Sequence, residues 1–323
     1  MNKGIIIGYS ASDFHLAKGC LASVKYFMPD IPVCLLHDGL INREEILNVY
    51  PDVIFLGKED IKNDFLRLNS FGWGITKMIA FWESPFENFL FLDADTVMWD
   101  NLDEWNLLKS IDMVIDQPQY TFSEEAINMF FFDTQRLTKF DPDFTYSQFT
   151  DRYFCTGVFF AKRGIFEIEW YKELLNICKA EQEAIFKYGE MGMLNYMIFK
   201  KLQEGKLNII NKRIQFIAPD FSIEQTKKQF PFIDDQPFIE KPMVIHYNGN
   251  RKPWIKNLLS YSKPMTWFRV RFYKKSKPEL SRNEIIKLLL TEDQPALKKQ
   301  TAMQWPNNTL LKIVVYGTGC IKS

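Results

Sequence analysis

Two aspartates separated by one residue close the apolar run Phe89-Leu-Phe-Leu-Asp93-Ala-Asp95-Thr. Side chains at i and i+2 of a strand share a face, so both carboxylates could meet one hard divalent cation, which would in turn neutralise a bound diphosphate. An isolated pair of this kind can also be two solvated turn residues; the strand-like run ahead of it favours a site. A second group, His246-Tyr-Asn-Gly249-Asn-Arg-Lys252-Pro253-Trp254, directly follows another apolar run. Gly249 would permit close backbone approach, Lys252 can meet a phosphate as a point charge, and Pro253 would fix the turn. All three roles suit one anionic ligand. The chain has only His15, His37 and His246, and its five cysteines (Cys20, Cys34, Cys155, Cys178, Cys320) contain no C-x-x-C pair. A metal must therefore rest largely on carboxylates, which favours Mn²⁺ or Mg²⁺. An odd, scattered set of cysteines also argues against a disulfide framework and for a reducing, cytoplasmic setting.

The elements that must position these groups are legible as an alternation. Short runs rich in Ile, Val, Leu and Phe at 4–9, 33–37, 53–56, 89–92, 113–115, 158–161 and 243–246 read as strands, and amphipathic stretches at 14–27, 43–49, 76–82 and 167–180 read as helices between them. This predicts an α/β fold with an open, mostly parallel central sheet flanked by helices. In such sheets ligands sit beyond the carboxyl ends of the strands, which directs attention to Ser10–Asp13, Asp38, residues 93–95, Asp116 and His246. Residues 117–153 break the rhythm with a long aromatic and polar insertion, the expected form of a lid or binding loop.

With 323 residues, 46% of them hydrophobic, the chain can bury a large core. Lysine plus arginine and aspartate plus glutamate both total 40, so there is no net field for nucleic acid and no nucleic-acid partner is expected. The longest run free of charge, residues 300–311, is 12 residues, short of the roughly 18 that a spanning helix needs, and the N-terminus lacks the apolar stretch of a secretory signal. Residues 263–282 carry seven Lys/Arg against one acid, a local net of +6, and residues 283–323 a net of +2, leaving −8 on residues 1–262. The expected organisation is a catalytic domain over 1–262 and a basic extension of mixed helix and loop over 263–323. Aromatics mixed with cations in 263–282 could rest on an anionic membrane surface; a solvated helix, an acceptor-binding rim or an oligomer-forming segment are the alternatives.

The two motifs together resemble the glycogenin-like family of retaining glycosyltransferases, which share an F/L-x-D-A-D-T strand end and a C-terminal H-x-x-G-x-x-K-P-W. Every fixed position of the latter is present. Thr76-Lys77-Met78-Ile-Ala-Phe-Trp82 is similar to the family's T-K-L-x-x-W helix, Glu190-Met-Gly-Met-Leu-Asn195 to its D-Q-G-x-L-N, and Tyr153-Phe-Cys155-Thr-Gly-Val158 to its F-N-S-G-V. The resemblance covers residues 4–256 and implies a single GT-A type nucleotide-sugar-binding domain. It implies that Asp93, Asp95 and His246 ligate Mn²⁺ bridging a UDP diphosphate, with Gly249 and Lys252 on the phosphates. Lys77 and Ala94 would face the donor, and Tyr9, Ser10 and Asp13 would line the uridine pocket by position. Asp116 and Glu190 would be the carboxylates nearest the sugar, Glu190 being the candidate beneath it. Met191 and Cys155 depart from the family at positions that contact the donor sugar.

The expected reaction is transfer of a sugar from a UDP-sugar to a hydroxyl of a glycan, glycolipid or protein, with retention of configuration. Two other classes remain. A catalytically lost sugar-nucleotide-binding protein would be expected to lack an aspartate or the histidine, and all three are present. A nucleotidyltransferase would be expected to open with a glycine-rich, basic phosphate loop, whereas the first loop here is Gly8-Tyr-Ser-Ala-Ser-Asp13.

Overall fold

A computed structural model describes residues 2–72, 74–181, 185–187, 189–249 and 251–303; Asn250 of the C-terminal motif and residues 304–323 of the basic extension lie outside the described residues. The strands are β1 (Lys3–Ser10), β2 (Val33–Asp38), β3 (Ile54–Leu56), β4 (Asn88–Asp93), β5 (Thr96–Trp99), β6 (Met113–Ile115), β7 (Val158–Lys162), β8 (Ile209–Asn211), β9 (Gln215–Ile217), β10 (Phe232–Ile233), β11 (Gln236–Pro237) and β12 (Met243–His246). The helices are α1 (Phe14–Phe27), α2 (Arg43–Leu47), α3 (Asp64–Asn69), α4 (Ala80–Glu83), α5 (Glu124–Phe130), α6 (Thr134–Phe140), α7 (Ile168–Glu181), α8 (Glu190–Gln203), α9 (Ile223–Gln229), α10 (Lys263–Ser276) and α11 (Arg282–Met303).

Seven strands form the central sheet in the order β3-β2-β1-β4-β7-β6-β8. β7 pairs antiparallel with both of its neighbours and every other pairing is parallel, so the α/β, mostly parallel expectation holds. Strict alternation divides the core between two faces. Ile5, Ile7, Leu90 and Leu92 face α1 and the C-terminal helices, while Ile6, Phe89 and Phe91 join the aromatic layer under α4, α7 and α8. In that layer Phe159 stacks on both Phe81 and Phe91, at ring separations of 5.7 and 5.2 Å. Gly8 makes room for it: a Cβ there would lie 2.5 Å from the Phe91 ring.

The run 243–246 does not extend this sheet, contrary to what the alternation predicts. It is the middle strand of a separate sheet, β5-β12-β9, because the chain reverses at Ala94–Asp95 and β5, a strand the alternation does not reveal, offers it an antiparallel partner. The insertion 117–153 also differs from a mobile lid. It holds α5 and α6, and Phe122, Phe131, Phe132, Phe144, Phe149 and Tyr153 are buried in the second core. Its aromatic content is largely core material, and Gln117, Pro118, Gln119, Tyr120 and Phe122 with Phe130, Phe131 and Tyr153 line the cleft beside the site.

The basic segment from Lys263 is a helical pair. Met265, Phe268, Phe272 and Tyr273 of α10 and Ile285 and Leu289 of α11 bury into the same core as β1 and α1. Gly19 of α1 allows the close approach, since a Cβ there would meet Met265 Sδ at 2.3 Å. Arg269, one of the seven cations counted in this segment, is fully buried.

Candidate active site

The carboxylate pair does not lie on one strand face. β4 ends at Asp93 and β5 begins at Thr96, so Asp95 is carried by a tight turn. Thr96 Oγ1 donates to the Asp93 carbonyl (2.7 Å) and the Ala94 amide to the Gly8 carbonyl (3.1 Å). Ala94 is itself buried and contributes this backbone anchor. The register of β1 with β4 sets Gly8 beside Asp93, and that of β12 with β5 sets His246 opposite Thr96. The histidine is thereby delivered to the aspartates across 150 residues of chain. Ligand atoms of Asp93, Asp95 and His246 all lie within 4.8 Å of one another. His246 Nε2 is 3.5 Å from Asp95 Oδ1 and 4.0 Å from Asp93 Oδ2.

His246 is fully enclosed. Its Nδ1 meets Gln215 Oε1 at 3.0 Å, and the ring lies over Gly157, where a Cβ would come within 2.2 Å of Cε1. Gln215 also donates to the Cys155 carbonyl (2.8 Å). Its own strand is aligned by Asp116, whose Oδ1 accepts the amides of Ile214 (3.0 Å) and Gln215 (3.1 Å). No motif marks Gln215, and its role emerges only from the pairing of β9 with β12. Asp116, read from sequence as a carboxylate near the sugar, thus supports the histidine through Gln215 while lining the adjoining cleft. Burial pushes its carboxyl up to about 6, against the two amides that favour its charge.

Two ammonium groups flank the triad. Lys77 Nζ lies 3.1 Å from Asp93 and 2.8 Å from Glu190 Oε1, and donates to the Thr156 carbonyl at 3.2 Å. Thr156 Oγ1 donates to Glu190 at 2.9 Å. Burial alone would push Lys77 towards neutrality, but Asp93 and Glu190 raise it above an ordinary lysine. Burial raises Glu190, and Lys77 opposes it. Gly74, at φ +79°, permits this packing, since a Cβ would sit 2.6 Å from Glu190 Oε2. On the other side Lys252 pairs with Asp95 Oδ2. Lys252 and His246 outweigh burial and hold Asp95 well below the usual carboxylate range. His246 in turn is raised to about 10: burial opposes the charge, and Cys155 and Asp95 favour it. Lys77 and Lys252 thus pair with Asp93 and Asp95, the carboxylates that a divalent cation would share with them.

The other predicted residues divide. Asp13 is raised by burial and feels Lys252 and Asp95, which places it by the triad, and Ser10 Oγ donates to it (3.1 Å). Tyr9 is 7% exposed and stacked on Phe14, 6.0 Å between ring centres. Gly249 takes φ +63° between His246 and Lys252, with open space where a Cβ would be. Met191 and Cys155 line a cleft with Asp116, Tyr120, Phe122 and Asp220. Asn195 holds its wall by accepting the Phe154 amide (3.1 Å) and donating to the Met191 carbonyl (2.8 Å). A further grouping, His37 with Glu59 and Asp60, is cross-linked by Arg43, which bonds all three.

A doubly covered, mostly parallel sheet with an Asp-Ala-Asp turn at the end of its central strand, a histidine delivered from a second small sheet and flanking lysines defines a GT-A type fold carrying a metal-site candidate. Residues 79–257, more than half of the chain, match glycosyl transferase family 8, and the chain belongs to that family. The glycogenin-like resemblance therefore holds. Among solved structures, the galactosyltransferase LgtC in complex with donor and acceptor sugar analogs is 14% identical with a TM-score of 0.52, the match covering 85% of this chain and 95% of that one. The bifunctional glycosyltransferase WbbM is 12% identical with a TM-score of 0.53, over 85% of this chain and 51% of that one. GlyE from Streptococcus pneumoniae TIGR4 is 15% identical with a TM-score of 0.50, over 90% and 64%. No curated protein matches the chain by sequence. Among the described residues no helix is long and apolar enough to cross a membrane.

Proposed function

We propose that this chain is a metal-dependent retaining glycosyltransferase that moves a sugar from a UDP-sugar to a hydroxyl of a glycan, glycolipid or protein. The observation that carries the reading is the convergence of Asp93, Asp95 and His246 with Lys77 and Lys252 around one point at the strand ends. Two carboxylates and one imidazole fit Mn²⁺, with Mg²⁺ the alternative, since a nitrogen ligand favours the former. When bound, such a cation would draw off charge from a departing diphosphate. Lys252, on a loop beside the left-handed Gly249, would leave Asp95 for a phosphate oxygen and stabilise the same developing charge. Glu190 is held rigidly by Lys77 and Thr156, as a carboxylate beneath a reacting sugar should be. Tyr9, Ser10 and Asp13 are assigned to the nucleoside side, and Cys155 and Met191 to the sugar side. Asp116 is assigned to holding Gln215 and His246.

We place the protein in the cytoplasm, peripheral at the inner membrane face. The free thiols of Cys20, Cys34 and Cys155 and the exposed Lys263, Lys274, Lys275, Lys277 and Arg282 support that placement. The test is a screen of UDP-sugars with Mn²⁺ for donor hydrolysis and for thermal stabilisation by UDP. One donor should be hydrolysed in a metal-dependent way, and Asp95→Ala should lose most of the stabilisation. Equal stabilisation of wild type and variant would remove the metal assignment, and no turnover of any UDP-sugar would remove the donor.

A further inference from the structure

The helical pair α10–α11 follows the family match and contains none of the residues so far placed at the site, yet a buried ionic network runs from it to the loop that carries Lys252 and to the first turns of α1. Asp293 of α11 is fully buried. Its two oxygens serve different partners: Oδ1 accepts from Arg269 Nη1 of α10 at 2.8 Å, and Oδ2 accepts the backbone amide of Ile255 at 3.0 Å. Ile255 stands three residues after Lys252 in a loop that turns on itself. Trp254 N and Asn257 Nδ2 both donate to the Lys252 carbonyl, at 2.9 and 2.8 Å, and Asn257 N donates to the Trp254 carbonyl at 3.0 Å. Asp293 Oδ1 also lies 3.7 Å from His15 Nε2 at the start of α1, two residues after Asp13. Arg269 is itself fully buried and passes its other nitrogen to Glu292 (2.9 Å), which pairs with Lys18 of α1 (2.6 Å).

Apolar residues of similar volume would hold two helices on a sheet as well as a buried charge network does, and often better. What apolar residues could not supply is a fixed acceptor for one loop amide. A main-chain N–H restrained at Ile255 limits where the Lys252 backbone can go, and so where its ammonium can reach between Asp95 and a phosphate.

We propose that Asp293, held by Arg269, is a positioning residue for Lys252, and that the C-terminal helical pair thereby completes the donor site. The proposal's kinetic arm rests on the UDP-sugar reading above. An asparagine at 293 has one acceptor oxygen for two donors, and the Arg269 charge would claim it, so Asp293→Asn releases the loop. Expected is a fall of about tenfold in kcat for donor hydrolysis with wild-type Lys252, and less than about twofold in the Lys252→Ala background, the non-additivity of residues acting through one another. Equal losses in both backgrounds would overturn the proposal, because a merely structural defect is indifferent to Lys252.

Should Asp293→Asn fold poorly, the pair Arg269→Met with Asp293→Leu removes the buried charges together and should give the same pattern. Amide hydrogen exchange over residues 252–259 provides a readout independent of turnover: both variants should exchange faster there while the α1 amides keep wild-type rates. Unchanged exchange over 252–259 would overturn the proposal whatever the donor. Loop release without any UDP-sugar turnover in wild type would instead leave the positioning intact and remove the functional reading.

Discussion

Lys77 and Lys252 are both drawn to the aspartate pair, but the protein treats them differently. Lys77 is enclosed by Asp93, Glu190 and Thr156, with a side chain only 9% exposed, on a segment that is part of the second core. Lys252 pairs with Asp95, is 25% exposed, and stands on a loop whose Ile255 amide is held from behind by Asp293. The difference separates two kinds of charge at one site. The first belongs to the fold and fixes Glu190; the second, on the function proposed above, changes partners when an anion arrives.

The largest test of that contrast is on stability. Lys77→Met should cost about 3–5 kcal/mol, because it leaves the buried Glu190 and the half-buried Asp93 without their cation, measured as denaturant unfolding without ligand. A loss below 1 kcal/mol would make the two lysines alike. Lys252→Ala should show the opposite pattern. Its unfolding free energy should fall by at most about 1 kcal/mol, while donor hydrolysis drops roughly a hundredfold, the scale of removing one preorganised donor from a developing charge. Unchanged turnover would return Lys252 to the role of a surface cation.

A smaller effect concerns the histidine's support. Asp116 has its carboxyl pushed up by burial to about 6, above its unfolded value, so its ionisation disfavours the folded state. That penalty is absent at low pH, grows as pH rises from about 4, and is complete above about 6. Asp116→Asn keeps an acceptor for the two amides and has no such penalty. Its stability relative to wild type should therefore improve by on the order of 2 kcal/mol between pH 4.5 and 7.5. A pH-independent difference would show that Asp116 titrates normally. The smallest effect is at the exposed cations of α10. Each should contribute about 1 kcal/mol on an anionic vesicle, so Lys274→Glu with Lys275→Glu should weaken low-salt sedimentation while UDP-dependent stabilisation stays unchanged. Full-length protein that ignores such vesicles at low salt would remove the membrane contact.

How much of this was legible in the sequence depends on whether the information is local. The helix at 14–27 and the strands at 113–115 and 243–246 fall where periodicity and apolar runs place them, and the triad residues were marked by their motifs. The sheet to which 243–246 belongs was not legible, since β5 and β9 are four and three residues long and acquire a partner only through tertiary pairing. Gln215 and Asp293 carry no motif for the same reason: each acts by meeting a residue far along the chain. The aromatic insertion misled because exposure cannot be read from composition; Phe131 and Tyr153 are as apolar in a lid as in a core. The +6 of the basic segment overstated its surface charge because Arg269 faces inward to Asp293.

The bare backbone at Gly157 carries a consequence of its own. The His246 ring occupies the volume a side chain would need there, so a position with no functional group has as narrow a tolerance as the histidine it shelters. A saturation library scored for activity would rank 157 with the aspartates. A reader of such data would infer chemistry where there is only room.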